Sequence, residues 1–195
     1  MKPFLSVIIP THNNKKNILM TLLDVHRHLE FQKYKSEIIV IDDASTDGTS
    51  EMVNRYTHLI RNLKFINNQT KKGKNFIIKQ AMFLAKGNWR LILSPEHRVS
   101  VAEFNKIIPY SKKGFEILTD KNGRFQCFSA KAAEEIFLYL TNNSNWRIGR
   151  LAGVLGYKTM EFAFEKSLWH NLSNGSLLNT GAFARIKRRI AGLKN

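Results

Sequence analysis

Residues 37–43 read Glu-Ile-Ile-Val-Ile-Asp-Asp, an almost wholly apolar, β-branched run that ends in adjacent carboxylates. A run with no polar face suits a strand buried on both sides within a parallel sheet. Asp42 and Asp43 then fall at the strand's carboxyl end, ahead of Ser45-Thr46-Asp47-Gly48, whose side-chain oxygens suit a helix start. Ligands of open α/β sheets bind at that end of the strands. Adjacent acids repel each other, so they need partners there. A turn with a helix cap is the plain explanation of the pair; a ligand site is the sharper one.

The flanking segments extend the pattern. Leu5–Pro10 is a second buried-type strand stopped by proline, and Thr11-His12-Asn13-Asn14 is the loop after it. Ile18, Leu22, Val25 and Leu29 recur at helical spacing and predict a helix from Lys15 to about Phe31. Met52, Val53, Tyr56 and Ile60 predict another, and Leu63–Ile66 a short strand. Ile77, Ile78, Ala81, Met82 and Ala85 predict a third helix, stopped by Gly87, and Trp89–Leu93 a fourth strand. This alternation implies an α/β fold: βαβ units in a mostly parallel sheet flanked by helices.

Beyond Ser94 the signals are shorter. Val101, Phe104, Ile107 and Ile108 predict a helix ending near Pro109, and 115–118 with 125–128 a hairpin through Asn122-Gly123. Two helices follow, the second ended by Gly156, and then an alternating strand over 159–164 with one buried side. Residues 171–180 are polar and turn-rich, as in a linker. Phe183, Ile186, Ile190 and Leu193 then share a helical face flanked by Arg185, Lys187, Arg188 and Arg189. That amphipathic pattern with basic flanks suits an anionic membrane surface. The expected division is one domain over 1–170 and a linker with a basic amphipathic helix over 171–195.

Charge narrows the partners. Lys and Arg number 31 against 15 Asp and Glu, a net charge of +16. Such a surplus favours anions: nucleic acid, an anionic membrane or phosphorylated small molecules. No recognisable nucleic-acid module accompanies it, so nucleic acid is not an expected partner. No apolar run approaches the roughly 18 residues that cross a bilayer. Phe4–Pro10 is too short for the apolar core of a secretion signal, and Cys127 is the only cysteine. Both features suit a cytoplasmic protein in a reducing compartment.

The order of the motifs Ser6-Val7-Ile8-Ile9-Pro10-Thr11-His12-Asn13-Asn14, then residues 40–49, then 73–89 and a strand, resembles the family 2 glycosyltransferases of GT-A fold. Among them it is similar to the dolichyl- and polyprenyl-phosphate sugar synthases. The likeness is closest over about Leu5–Ser94 and weaker over residues 125–137, around Trp146 and over 156–165. It implies an inverting transfer of sugar from a UDP- or GDP-linked donor to a lipid-linked phosphate, at the cytoplasmic face of a membrane. It also implies that Pro10, Thr11, Asn13, Asp42, Asp43, Gly73, Lys74 and Lys79 line the nucleotide pocket.

Where the family carries Asp-x-Asp for a divalent cation, this chain has Ser94-Pro95-Glu96. Ser94 and Glu96 are therefore the expected catalytic-site positions, with Glu96 the one remaining carboxylate for Mg²⁺ or Mn²⁺, weakly held. His97, next door, is a further candidate ligand. The segment that relatives use for the acceptor is reduced here to Asp120–Arg124, and no carboxylate carries a motif for a general base. A nucleotide-sugar-binding protein without turnover is the alternative to an enzyme.

Overall fold

The computed structural model describes residues 2–97, 99–121, 123–140 and 148–162. The expected linker and basic helix over 171–195, and the Trp146 region, lie outside the described residues. The elements run β1 Leu5–Thr11, α1 Lys15–Glu30, β2 Ser36–Asp43, α2 Thr49–Thr57, β3 Leu63–Asn68, α3 Lys74–Leu84 and β4 Trp89–Leu93. They continue α4 Glu103–Ser111, β5 Ile117–Asp120, β6 Phe125–Ser129, α5 Ala130–Tyr139, α6 Ile148–Val154 and β7 Thr159–Phe162.

The strands form a mixed sheet in the order β3-β2-β1-β4-β6-β5-β7. β1 pairs in parallel with β2 and β4, and β2 with β3. β6 is antiparallel to both β4 and β5, while β7 is parallel to β5. All strands except β6 therefore end at the same edge, and β6 begins there. The chain steps outward from β1 to β3, then α3 carries it back across to β4 on the other side of β1. The ends of β1 and β4 thus flank the topological switch point, where sheets of this kind open a crevice.

Alternation along the central strands feeds two cores. Val7, Ile9, Ile38 and Val40 pack with Ile18, Leu22 and Val25 of α1, Val53 of α2 and Phe104 of α4. Ile8, Ile39 and Ile41 pack on the opposite face with Ile77 and Met82 of α3, Ile136 of α5 and Ala152 of α6. Both faces are covered, which is why these strands carry no polar face. Cys127 is buried in β6, and burial pushes its thiol well above the usual range, so its role is packing.

The predicted elements that fall on described residues are present, with two corrections. Gly87 does not end α3: the helix stops at Ala85, which is extended at φ −68° and ψ 132°. Gly87 is required by proximity instead, since a Cβ there would lie 2.5 Å from the Ser6 amide nitrogen. Pro109 does not end α4, which continues to Ser111. Proline forfeits one backbone bond, and burial of Phe104 and Ile107 holds the turn regardless. The hairpin forms as expected, with Gly123 at φ 64°.

The amino-terminal edge of the sheet is held by one buried acid. Glu37 accepts bonds from the Ser6 hydroxyl at 2.7 Å, the Lys64 ammonium at 2.6 Å and the Lys86 amide at 2.6 Å. Burial pushes its carboxyl up, but the bonds from Lys64, Ser6 and Lys86 outweigh burial and hold it below its ordinary value. A depressed carboxyl contributes stability above its unfolded-state value and loses it as pH falls through the folded one. Glu37→Gln is expected to cost about 1.5–3 kcal/mol at neutral pH, the worth of hydrogen bonds to a charged group. Denaturant titrations in acid should show the two proteins converging below the ordinary carboxylate value of 4.5. A constant difference across that range would exclude the charge of Glu37 as the cause.

Candidate functional site

The loops after β1 and β2 are tied to each other at the switch point. Asn13 adopts the left-handed φ of 52° and Ala44 one of 57°, both uncommon outside glycine. The Asn13 amide donates to Ser45 Oγ at 2.8 Å, and the Thr46 amide donates to Asn13 Oδ1 at 2.8 Å. The Asn14 amide donates to Thr49 Oγ1 at 2.9 Å, and the Lys15 amide to Asp47 Oδ2 at 3.0 Å. Asp47 also accepts from the Thr49 amide at 2.9 Å, so it caps α2 as the sequence foretold, from one position before the Gly48 N-cap.

Asp42 sits at the end of β2 opposite Thr11 and is fully buried. Its carboxylate accepts from the Ser45 amide at 2.9 Å, the Ser45 hydroxyl at 2.5 Å and the Ser50 hydroxyl at 2.6 Å. The resemblance sets it against the nucleotide. The structure instead engages both of its oxygens in shaping its own turn. Asp43 accepts from the Lys72 amide at 2.7 Å and the Gly73 amide at 2.9 Å. It draws the β3–α3 loop over the strand ends, and Gly73, at φ 94° and ψ 150°, passes the chain into α3.

Lys74 is the exposed first residue of α3 and stands at this edge. Lys79 does not. Its ammonium donates to the carbonyls of Leu140 at 2.8 Å and Leu138 at 3.4 Å, at the carboxyl end of α5. Five helical positions from Lys74, it meets the negative end of another helix instead of the strand edge. Thr11 Oγ1 and Asn68 Nδ2 are buried at the strand ends without a hydrogen-bond partner. Buried polar atoms are rarely left so, and a bound molecule or water would satisfy them.

On the other flank of the crevice, β4 runs into the turn 94–97, closed by the His97 amide donating to the Ser94 carbonyl at 3.1 Å. Asn14 Nδ2 donates to Glu96 Oε1 at 3.3 Å and bridges the two sides. Beside them Asp120, almost fully buried, accepts from Arg124 Nε at 3.0 Å and the Phe125 amide at 2.8 Å. Burial and then the Lys74 charge push the His97 imidazole below its ordinary value; Arg124 acts the same way, while Glu96 and Asp120 oppose them.

This donor set does not suit a resident divalent cation. Such ions take several oxygen ligands, usually including one or two carboxylates. Glu96 supplies one exposed carboxylate, Ser94 a neutral hydroxyl, and Asp120 is engaged with Arg124. Among the described residues no group of three or more His, Cys, Asp and Glu is placed to hold a metal.

Three participants escaped the sequence reading: Asn14 as the bridge to Glu96, Ser50 as a partner of Asp42, and Arg124. Ser50 follows Asp42 by eight positions, a spacing that carries no signal by itself. Arg124 was legible in principle, because a hairpin through Asn122-Gly123 places it immediately before β6.

The model of the glycosyl transferase family 2 matches residues 6–191. The chain belongs to that family. It is 26% identical to the dolichyl-phosphate β-glucosyltransferase of Dictyostelium discoideum over 111 residues, 53% of this chain and 34% of that protein. It is 30% identical to the Saccharomyces cerevisiae enzyme of the same name over 115 residues, 54% of this chain and 33% of that one. The chain thus spans about a third of the length of the curated relatives it matches first. Among solved structures it resembles the mannosyltransferase PcManGT from Pyrobaculum calidifontis in complex with GDP-Man and Mn²⁺. The TM-score is 0.66 at 19% identity, with 88% of this chain and 60% of that chain covered. Staphylococcus aureus TarS 1–349 in complex with UDP gives a TM-score of 0.66 at 20% identity, covering 85% and 59%. These likenesses establish the GT-A fold.

Asp43→Asn leaves one of the two loop amides without an anionic acceptor. The expected result is faster hydrogen exchange at Lys72 and Gly73, by about 10-fold or more for a bond worth about 1.5–3 kcal/mol. Exchange in β1 should stay unchanged. Equal acceleration throughout the sheet would mean that Asp43 supports the whole fold rather than this loop.

Proposed function

We propose that this family 2 chain transfers a sugar from a UDP- or GDP-linked donor to a lipid-linked phosphate, with inversion, on the cytoplasmic face of an anionic membrane. The observation that carries the reading is the meeting of the two flanks of the β1–β4 switch point, where Asn14 Nδ2 donates to Glu96 Oε1 at 3.3 Å beside the strand-end Thr11 and the turn residue Ser94. Thr11 Oγ1, buried at the end of β1 without a hydrogen-bond partner, is available to a polar ligand there. In this reading Pro10 and Thr11 at the end of β1, Asn13 in the loop after it, and Gly73 and Lys74 at the start of α3 meet the nucleotide. Relatives named dolichyl-phosphate β-glucosyltransferases support a lipid-linked acceptor. The +16 charge supports an anionic surface. No described helix is long and apolar enough to cross a membrane, so contact at the surface is the mode proposed.

In the proposed reaction an oxygen of the acceptor phosphate attacks the anomeric carbon from the face opposite the leaving group. The bond from that carbon to the donor's diphosphate oxygen breaks, and the nucleoside diphosphate departs with the electron pair. A phosphate nucleophile is already anionic at neutral pH, so the step needs no general base. Transition-state stabilisation lies chiefly in neutralising the diphosphate's growing charge. No step is assigned to a metal.

Ser94, in place of a carboxylate, favours a second reading: a protein that binds nucleotide sugar without transferring it. Thermal-shift screening against UDP- and GDP-sugars, followed by a radiolabel assay with polyprenyl phosphate in anionic vesicles, separates the two. A ligand at 100 times its dissociation constant is expected to stabilise by about 2.7 kcal/mol. Stabilisation with labelled lipid product supports transfer; stabilisation without product supports the binding protein. No stabilisation by any nucleotide sugar would sink both. Asp42→Ala is expected to lower nucleotide affinity and also to destabilise the fold by about 1–3 kcal/mol, because buried donors lose their acceptor. Unchanged affinity in calorimetry would remove the Asp42 turn from the site.

A further inference from the structure

The positive charge at the crevice arrives from two elements far apart in sequence. In the antiparallel β4–β6 pair Leu93 lies opposite Phe125. One step further out, Ser94 leaves β4 where Arg124 enters β6. Arg124 therefore stands beside the position where the resemblance implies a metal-binding acid. Its Nε donates to Asp120 Oδ2 at 3.0 Å, and Asp120 is itself anchored by the Phe125 amide at 2.8 Å. That bond fixes the plane of a guanidinium whose side chain is 32% exposed. A guanidinium carries five donors in a rigid fork that matches phosphate oxygens bidentately. Lys74 opens an 11-residue helix at the same edge, behind amides that Asp43 holds in place. A helix start and an ammonium act with the same sign on an anion.

We propose that Arg124 and Lys74 hold the diphosphate of the nucleotide donor in place of a carboxylate-bound divalent cation, so that nucleotide binding by this chain does not depend on added metal. The proposal rests on the nucleotide-sugar reading of the crevice. Two features converge on it. Glu96 is the lone exposed carboxylate of the turn after β4, and Asp120, the nearby buried one, is engaged by Arg124 and the Phe125 amide. The Lys74 ammonium and the guanidinium fork of Arg124 offer donors that a diphosphate can use and a cation cannot, while the Arg124 pairing takes Asp120 away from a metal. The short hairpin is what brings Arg124 to the edge, with only residues 121–124 between β5 and β6.

The test is calorimetric titration of the full chain with UDP, GDP, UMP and GMP, in EDTA and in Mn²⁺. Diphosphates are expected to bind in EDTA, and Mn²⁺ to leave their affinity unchanged. Lys74→Gln and Arg124→Gln are each expected to weaken diphosphate binding by about 10- to 100-fold, the range for one charge-assisted hydrogen bond. Monophosphates should lose far less, and Arg124→Lys should recover part of the loss. Lys74 is exposed, so its variant tests the idea even if loss of Arg124 disturbs the Asp120 turn. Diphosphate binding that requires Mn²⁺ would overturn the inference and leave the donor reading intact. Equal losses for mono- and diphosphates would overturn it as well. No binding of any of the four nucleotides in either condition would overturn the donor reading and this inference with it.

Discussion

Two buried carboxylates at the end of one strand hold the working edge of this protein together. Asp42 and Asp43 follow directly on an apolar strand, so the sheet takes them out of water before any ligand arrives. Such charges are costly unless hydrogen-bonded. Each meets that demand by gathering a different loop: Asp42 the turn into α2, Asp43 the turn into α3. The crossed bonds between Asn13 and residues 45–46 then lock the loop after β1 to the same frame. The acids act through the backbone they position, and the crevice has fixed walls because they are paired.

The opposite flank is built on different terms. Its single exposed carboxylate, Glu96, leans on Asn14 across the switch point, while a buried Asp120 orients Arg124. Protein cations and divalent metals both neutralise phosphates, but they compete for the same space. In the proposed site Lys74 and Arg124 supply the donors that a diphosphate needs. The sugar-transfer reading therefore needs a cationic leaving-group site more than it needs a base, since the proposed nucleophile is already charged.

Stability and site geometry are separated along the sheet. At the amino-terminal edge Glu37 gathers Ser6, Lys64 and Lys86, tying three strands and the end of α3. Gly87 packs against Ser6 so closely that no side chain fits. The carboxyl-terminal edge, by contrast, keeps unpartnered Thr11 and Asn68 groups and two left-handed residues outside glycine. The left-handed Asn13 and Ala44 fall where a ligand is proposed, and backbone strain of this kind clusters at working sites generally.

The sequence by itself determined the alternating architecture. Buried parallel strands carry no polar face, amphipathic helices repeat their apolar positions at a fixed period, and both patterns are local. It also located the strand-end acids and the altered Ser94-Pro95-Glu96, because these are contiguous. It misplaced what depends on close approach. Gly87 looked like a helix stop because its true neighbour, Ser6, is 81 positions away. Lys79 looked like a site residue, yet its ammonium serves the end of α5, 61 positions on. Only the tertiary structure decided which acids are free. Whether Asp42 faces a ligand or its own turn depends on Ser45 and Ser50, and whether Arg124 reaches Ser94 depends on strand register. Hydrogen bonds and register act over a few ångströms of space, and local sequence periodicity carries no record of which distant segments share it.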